Sequence, residues 1–313
     1  MQEVTPHDVD VERMTEALDD IRRRTFGRWH WMEYGGMSMG DLALMRDELL
    51  DHAAARLAGD SSIDETLRNV LRTAAECSLG LLSVGCFPDG DQEILLPLID
   101  ERFSTENKAF GGIVENAPTA SLWVETFELC LISGLLWEWR RVIGLLLRED
   151  YAPAIRDGVP YSKFDSVSHP ADRAQMDALA CYLATSPDQR PHDWPTVTLR
   201  KPDAAERAAA ARRLDAAGTL TPDQHLLRRL LDDDRQAFEQ ALVARLHRHR
   251  EDAPDDPAPR TLLPHGTLAI AALAVQVHGW QLDVHSGYLP QILLGSTDAL
   301  SQAATGENTL GNS

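Results

Sequence analysis

Residues 121–147, SLWVETFELCLISGLLWEWRRVIGLLL, carry more Leu, Ile, Val, Phe and Trp than one face of a helix can hold. Such a segment has to be surrounded by other elements, so it predicts a central helix or a bent pair hinged near Ser133-Gly134. Each fully buried large apolar side chain contributes roughly 1.5 to 3 kcal/mol, which makes this run the organiser of the amino-terminal half. Glu125, Glu128, Glu138, Arg140 and Arg141 are then expected to face solvent or to pair with one another. Its longest uninterrupted apolar piece, residues 129–137, and a second at 267–275 fall well short of the roughly 18 residues of a membrane span. No membrane association is expected.

The rest of the chain also reads as helix. Val11, Met14, Leu18 and Ile21 recur at spacings of three and four and predict one amphipathic helix within the first 25 residues. Ser62 and Glu65 form a capping box ahead of Leu67, Val70, Leu71, Ala74, Cys77 and Leu81. A helix over 93–103 is interrupted by Pro97. Four prolines, Pro187, Pro191, Pro195 and Pro202, mark a surface connection. Beyond it, Asp203 and Glu206 cap a helix that Gly218 ends, and Thr221-Pro222-Asp223-Gln224 opens the next. Leu226, Leu227, Leu230 and Leu231 form its apolar face, Asp232, Asp233 and Asp234 interrupt it, and Phe238, Ala241, Leu242 and Leu246 continue in a following helix. Two antiparallel helices of this kind resemble one unit of an α-solenoid, although no fixed repeat period is present. Residues 266–278 read as an alanine-rich helix ended by Gly279, with Trp280, Leu282, Val284, Tyr288 and Leu289 folding back on it.

The fold class expected is therefore all-α, an irregular multi-helix bundle with a solenoid-like helix-hairpin carboxyl-terminal part. The division expected is an amino-terminal helical bundle over 1–186, a proline-rich connection over 187–202, and a carboxyl-terminal helical part over 203–295. That last part contains an acidic linker at 251–260, and residues 296–313 read as a disordered tail.

Chemistry is proposed most directly by Gly36-Met37-Ser38-Met39-Gly40, which spells G-x-S-x-G. A nucleophile elbow needs a strand to deliver the serine to the top of a parallel sheet, with an acid and then a histidine later in the chain. Residues 28–34 are aromatic enough to be that strand, but the only other strand candidate is 196–199. The favoured reading is a glycine-rich loop entering a helix, with Asp41 as a cap and Leu42, Met45, Leu49, Ala53 and Leu57 as its buried stripe. No catalytic residue is assigned.

Metal and cofactor sites are not expected either. Cys77, Cys86, Cys130 and Cys181 lie far apart, form no C-x-x-C pair and read as reduced core residues. His247 and His249 point to different faces of a helix, and the separations of His265, His278 and His285 match no standard ligand spacing. Glu125-x-x-Glu128 lacks the histidine of a di-metal helix pair. Asp232, Asp233 and Asp234 read first as a helix-capping knuckle and second as an acidic contact for a partner. They are the candidate partner-binding residues.

The 30 Lys and Arg stand against 49 Asp and Glu, a net charge of −19. Such a field repels nucleic acid and anionic membrane surfaces, and speeds encounter with a basic protein. No charged-then-apolar leader precedes the first helix, so a cytoplasmic location is expected.

Three stretches carry a family resemblance: RTLLPHGTLAIAALAVQVHGWQLDVHSGYLPQILLG, RLLDDDRQAFEQALVARLHRHRE and GLLLREDYAPAIRDGVPYSK. Together they resemble the immunity protein 49 family of bacterial polymorphic toxin systems, over residues of about 27–295. The most specific part pairs the D-D-D-x-x-x-F helix with the later L-L-P-x-G-T and H-G-W segments. What the resemblance implies is a mainly helical, non-catalytic binder that neutralises a cognate secreted toxin. These motifs are structural and transfer no contact residue. A helical scaffold or regulatory interaction protein is the alternative, distinguished by rescuing no cell from a linked toxin.

Overall fold

The apolar run bends where the sequence places its hinge. Helix formation stops at Ile132, Ser133 caps the end, and Gly134 turns the chain at φ +82°, a left-handed conformation that costs glycine little. A short 3₁₀ turn, Leu135–Trp137, follows. The computed structural model describes every residue except 1, 37, 61, 89, 107–113, 115, 139–140, 159–164, 186–198 and 306–313.

The chain begins with β1 (Gln2–Val4), α1 (Val11–Leu18), α2 (Ile21–Tyr34), α3 (Met39–Gly59) and α4 (Glu65–Cys86). A hairpin of β2 (Glu93–Leu96) and β3 (Glu101–Ser104) leads to α5 (Ala120–Ile132), α6 (Ile143–Leu145), a π-helical turn (Leu146–Tyr151), α7 (Ala152–Asp157) and α8 (Pro170–Ala180). The second half holds α9 (Ala204–Ala216), α10 (Pro222–Leu231), α11 (Arg235–Glu251), α12 (His265–Gln276), β4 (Val284–Ser286), α13 (Gln291–Leu294) and α14 (Ala299–Thr305). The architecture is all-α, as its capping and periodicity predict.

α5 sits at the centre, packed against α4, α8 and α12. Trp123 and Phe127 are fully buried with stacked rings 5.6 Å apart, and Trp123 Nε1 donates to the Leu147 carbonyl at 2.8 Å. α12 is buried from Gly266 to Gln276 on every side, so it is a second internal helix. The buried residues form one continuous cluster from Val4 to Leu294, and it does not divide at the proline-rich connection. Most of that connection, 187–198, lies outside the described residues. β1 pairs in parallel with β4, Gln2 opposite Val284, tying the two ends of the chain together.

Several local expectations are corrected. The first 25 residues hold two helices, because Asp20 caps α2 by accepting from the Arg23 amide at 3.1 Å; Val11 and Leu18 are exposed and Ala17 is the buried residue of α1. α4 is capped by Asp64, which accepts from the Leu67 amide at 2.7 Å, whereas Ser62 bonds back to Asp60. Residues 93–103 form a hairpin because the alternation of Ile94 and Leu96, both buried, has period two, and Pro97 ends the strand by removing an amide. Gly80 on α4 makes room for it: a Cβ there would lie 2.5 Å from Ile94 Cδ1. Residues 28–34 belong to helix α2, while Leu199 makes a single antiparallel bridge to Leu183 and 196–198 fall outside the described residues. In the tail, α14 is helical because Leu300 packs on the core; 306–313 are not described.

Candidate functional site

Ser38 ends α2's loop and starts α3. Its hydroxyl accepts from the Asp41 amide at 3.2 Å and donates to Asp41 Oδ2 at 2.7 Å, while Asp41 Oδ2 accepts from the Ser38 amide at 3.0 Å. That is a capping box, and it places the hydroxyl against an acceptor carboxylate with no histidine among its partners. The described strands form two two-stranded sheets, and Ser38 adjoins neither.

A cleft of about 580 Å³ opens where α3, α5, α8, α10, α11 and α12 converge. Its charges are mostly matched. Arg46 on α3 pairs with Glu125 on α5 at 2.9 Å. Asp223, in the first turn of α10, accepts both arms of Arg245 at 2.8 and 3.1 Å and the Thr267 hydroxyl at 2.6 Å. Burial pulls the Asp223 carboxyl up, but the Arg245 hydrogen bonds and charge, with Thr267, outweigh it and leave it below the usual carboxylate range. Arg260 reaches Asp51 at 2.7 Å, and His249 Nε2 donates to the Thr261 carbonyl at 2.8 Å.

Glu128 is the exception. Its side chain is 6% exposed and its nearest cation is His265 Nε2 at 3.6 Å, beyond hydrogen-bond distance. Burial, followed by the nearby charges of Asp223 and Glu125, pushes its carboxyl well above the ordinary range. Burial likewise lowers His265, so both shifts favour the uncharged forms. The expectation that the charged residues of 121–147 face solvent or one another is therefore overturned: Glu138 pairs with Arg72 at 2.7 Å, Arg141 with Glu76 at 3.0 Å, and Glu128 faces the cleft. Arg140 lies outside the described residues. The signal was available in the composition of α5, which is too apolar to leave a whole face in water.

Hydroxyls around the cleft are committed to structure. Thr221 caps α10, and Thr261 Oγ1 donates to the Ala258 carbonyl at 2.7 Å while receiving His7 Nε2 at 2.9 Å, so His7 does not act on it as a base. Among the described residues no three His, Cys, Asp or Glu side chains converge as a metal site. Cys77, Cys86 and Cys130 are buried free thiols; burial pushes Cys77 and Cys86 up to about 12, far from the thiolate form.

The triple aspartate closes α10 and opens α11. Asp232 caps the end of α10 and pairs with Arg228, and Asp234 accepts from the Ala237 amide at 3.1 Å. Asp233 turns the chain at φ +58° and is the centre of an internal knot: Lys201 at 2.9 Å, Arg207 at 3.0 Å and His278 Nδ1 at 2.7 Å. His278 Nε2 accepts from the fully buried Tyr182 hydroxyl at 3.0 Å. Burial lowers His278 to about 4, so it is a neutral structural imidazole. His285 is exposed on β4, far from any such role.

The described body is helical, most charges of the cleft are paired internally, and Ser38 and Thr221 serve as helix caps. The family model described as Immunity protein 49 matches residues 59–293, well over half of the 313 residues, and the chain belongs to that family. The match begins at the last residue of α3, later than the resemblance near Gly27 suggests. No curated protein and no solved structure matches the chain. Among the described residues no helix is long and apolar enough to cross a membrane.

Proposed function

We propose that this protein is a non-catalytic immunity protein that binds a cognate secreted bacterial toxin and neutralises it by occlusion, acting in the cytoplasm. The observation that carries the reading is membership of the immunity protein 49 family over residues 59–293. It is supported by Ser38, the only residue whose motif suggested a nucleophile, serving as a helix cap. A net charge of −19 would speed the approach of a basic toxin by about ten- to a thousandfold at low salt. In the triple aspartate, Asp232 and Asp234 are exposed and remain contact candidates, whereas Asp233 is enclosed by its own three partners. Co-expression with the toxin encoded beside it is expected to restore growth and to give a complex that survives size-exclusion chromatography. Failure with every linked toxin would remove the reading and favour a scaffold role.

A further inference from the structure

α2, IRRRTFGRWHWMEY, buries a stripe of Ile21, Thr25, Trp29 and Met32. The opposite half of its circumference exposes Arg22, Arg23, Phe26, His30, Trp31 and Tyr34. Trp31 is 64% and Tyr34 73% exposed. The rings of Phe26, His30 and Tyr34 form a row: Phe26 lies 6.4 Å from His30, His30 4.8 Å from Tyr34, and Trp29 lies beneath at 5.3 Å from Phe26. Gly27, where a Cβ would meet nothing within 4 Å, lines a depression of about 320 Å³ together with Trp31, Arg24, Asp41 and the paired Arg28 and Glu48. A soluble surface does not ordinarily leave contiguous aromatics uncovered, and Trp, Tyr and Arg are the residues that dominate binding energy at protein interfaces.

The charge of this face is opposite to that of the molecule. α2 carries four arginines against one glutamate, in a chain whose net charge is −19. Arg28 is matched by Glu48 at 2.8 Å, and Arg24 donates to the Ala17 and Asp19 carbonyls. Arg22 and Arg23 make no ion pair among the described residues, and Asp20 is spent on capping α2 itself. The face also lies wholly before residue 59, where the family match begins, so the family assigns it nothing.

We infer that the aromatic and basic face of α2 is the docking surface for an acidic patch of a protein partner, whose carboxylates meet Arg22 and Arg23 while an apolar socket takes Trp31 and Tyr34. The inference rests on the immunity reading for the identity of that partner, the toxin. Overall charge governs approach and local contacts govern dissociation, so a toxin of positive net charge docks here through a locally acidic patch. A nucleic acid is disfavoured by the field of the whole molecule.

The test uses the full chain and the toxin encoded beside it, with binding followed by calorimetry and surface kinetics. Trp31→Ala combined with Tyr34→Ala is expected to weaken binding at least about thirtyfold, with the melting temperature unchanged because both side chains are exposed. Arg22→Glu with Arg23→Glu is expected to speed dissociation, and the difference from wild type should shrink at high salt. Binding retained within about threefold by the Trp31/Tyr34 variant, or tightened by charge reversal, overturns the docking assignment and leaves the immunity function standing. A wild-type chain that binds no linked toxin removes both. Binding of a single-stranded oligonucleotide, or self-association, that the same variants abolish would replace the acidic protein with another occupant and also overturn it.

Discussion

Replacing Ser38 by alanine separates a helix cap from a nucleophile. Alanine loses the acceptor for the Asp41 amide and the donor to Asp41 Oδ2, while the reverse bond from the Ser38 amide at 3.0 Å survives. The site is half-exposed, so water can replace the missing acceptor and the cost stays near the middle of the capping range, about 1 kcal/mol. α3 is 21 residues long and packs against α4 along its buried Leu42, Met45 and Leu49, so fraying is confined to the first turn. For a chain of this length that corresponds to a fall in melting temperature of about 2 °C. Ser38→Asp supplies another capping acceptor and should recover most of the loss, and Ser38→Gly should cost only a few tenths of a kcal/mol. Calorimetric melts of the three variants check this, together with labelling by an active-site serine probe. Covalent labelling of Ser38 in the wild type, or an aspartate variant as unstable as alanine, would refute the capping argument.

Three further outcomes follow from the buried groups. The Glu128 carboxyl is raised in the folded state, so the unfolded chain ionises first and stability falls as pH rises from about 4.5 towards the folded value; Glu128→Gln should abolish that slope and be most stabilising at the alkaline end, and parallel pH curves for the two proteins would refute it. His278 behaves oppositely: its pKa falls from 6.5 to about 4, so stability present above pH 6.5 is lost as pH drops towards 4, by about 3 kcal/mol. His278→Gln should flatten this acid limb, measured by urea unfolding at several pH values. Trp123→Phe keeps the ring stacked on Phe127 and removes one of two donors to the Leu147 carbonyl, which still accepts from the Ala152 amide, at about 0.5 to 1.5 kcal/mol, whereas Trp123→Ala adds a cavity and should cost about 3 to 5; equal costs for the two would remove α5 as the organising helix.

Most of the helices were legible because their signals are local. The boxes at Asp203/Glu206 and Thr221/Gln224 form as spelled, and the Gly134 hinge turns where the apolar run demands it. Local signals also misled where two adjacent residues could serve: Asp64 caps in place of Ser62, since the chain turns back at Asp60. The hairpin over 93–104 was hidden because its period-two alternation, Ile94 and Leu96, is only one repeat long before Pro97, and Ile94 seats on Gly80 of α4. Of the site, the sequence named the triple aspartate, but not that Asp233 would be enclosed by Lys201, Arg207 and His278, drawn from two other helical regions.

By itself, then, the sequence determined the helical class, the caps and the interior stripes, because hydrophobic period and capping act over three or four residues. Only the tertiary structure decided which charges are spent internally and which stay outside. Glu128 becomes a buried acid because α12 lays His265 and Gly266 over it, and Arg22, Arg23, Trp31 and Tyr34 are a surface among the described residues because they stay exposed on α2. Burial is set by residues far away in the chain, and it fixes both the pKa of a carboxyl and the availability of a ring.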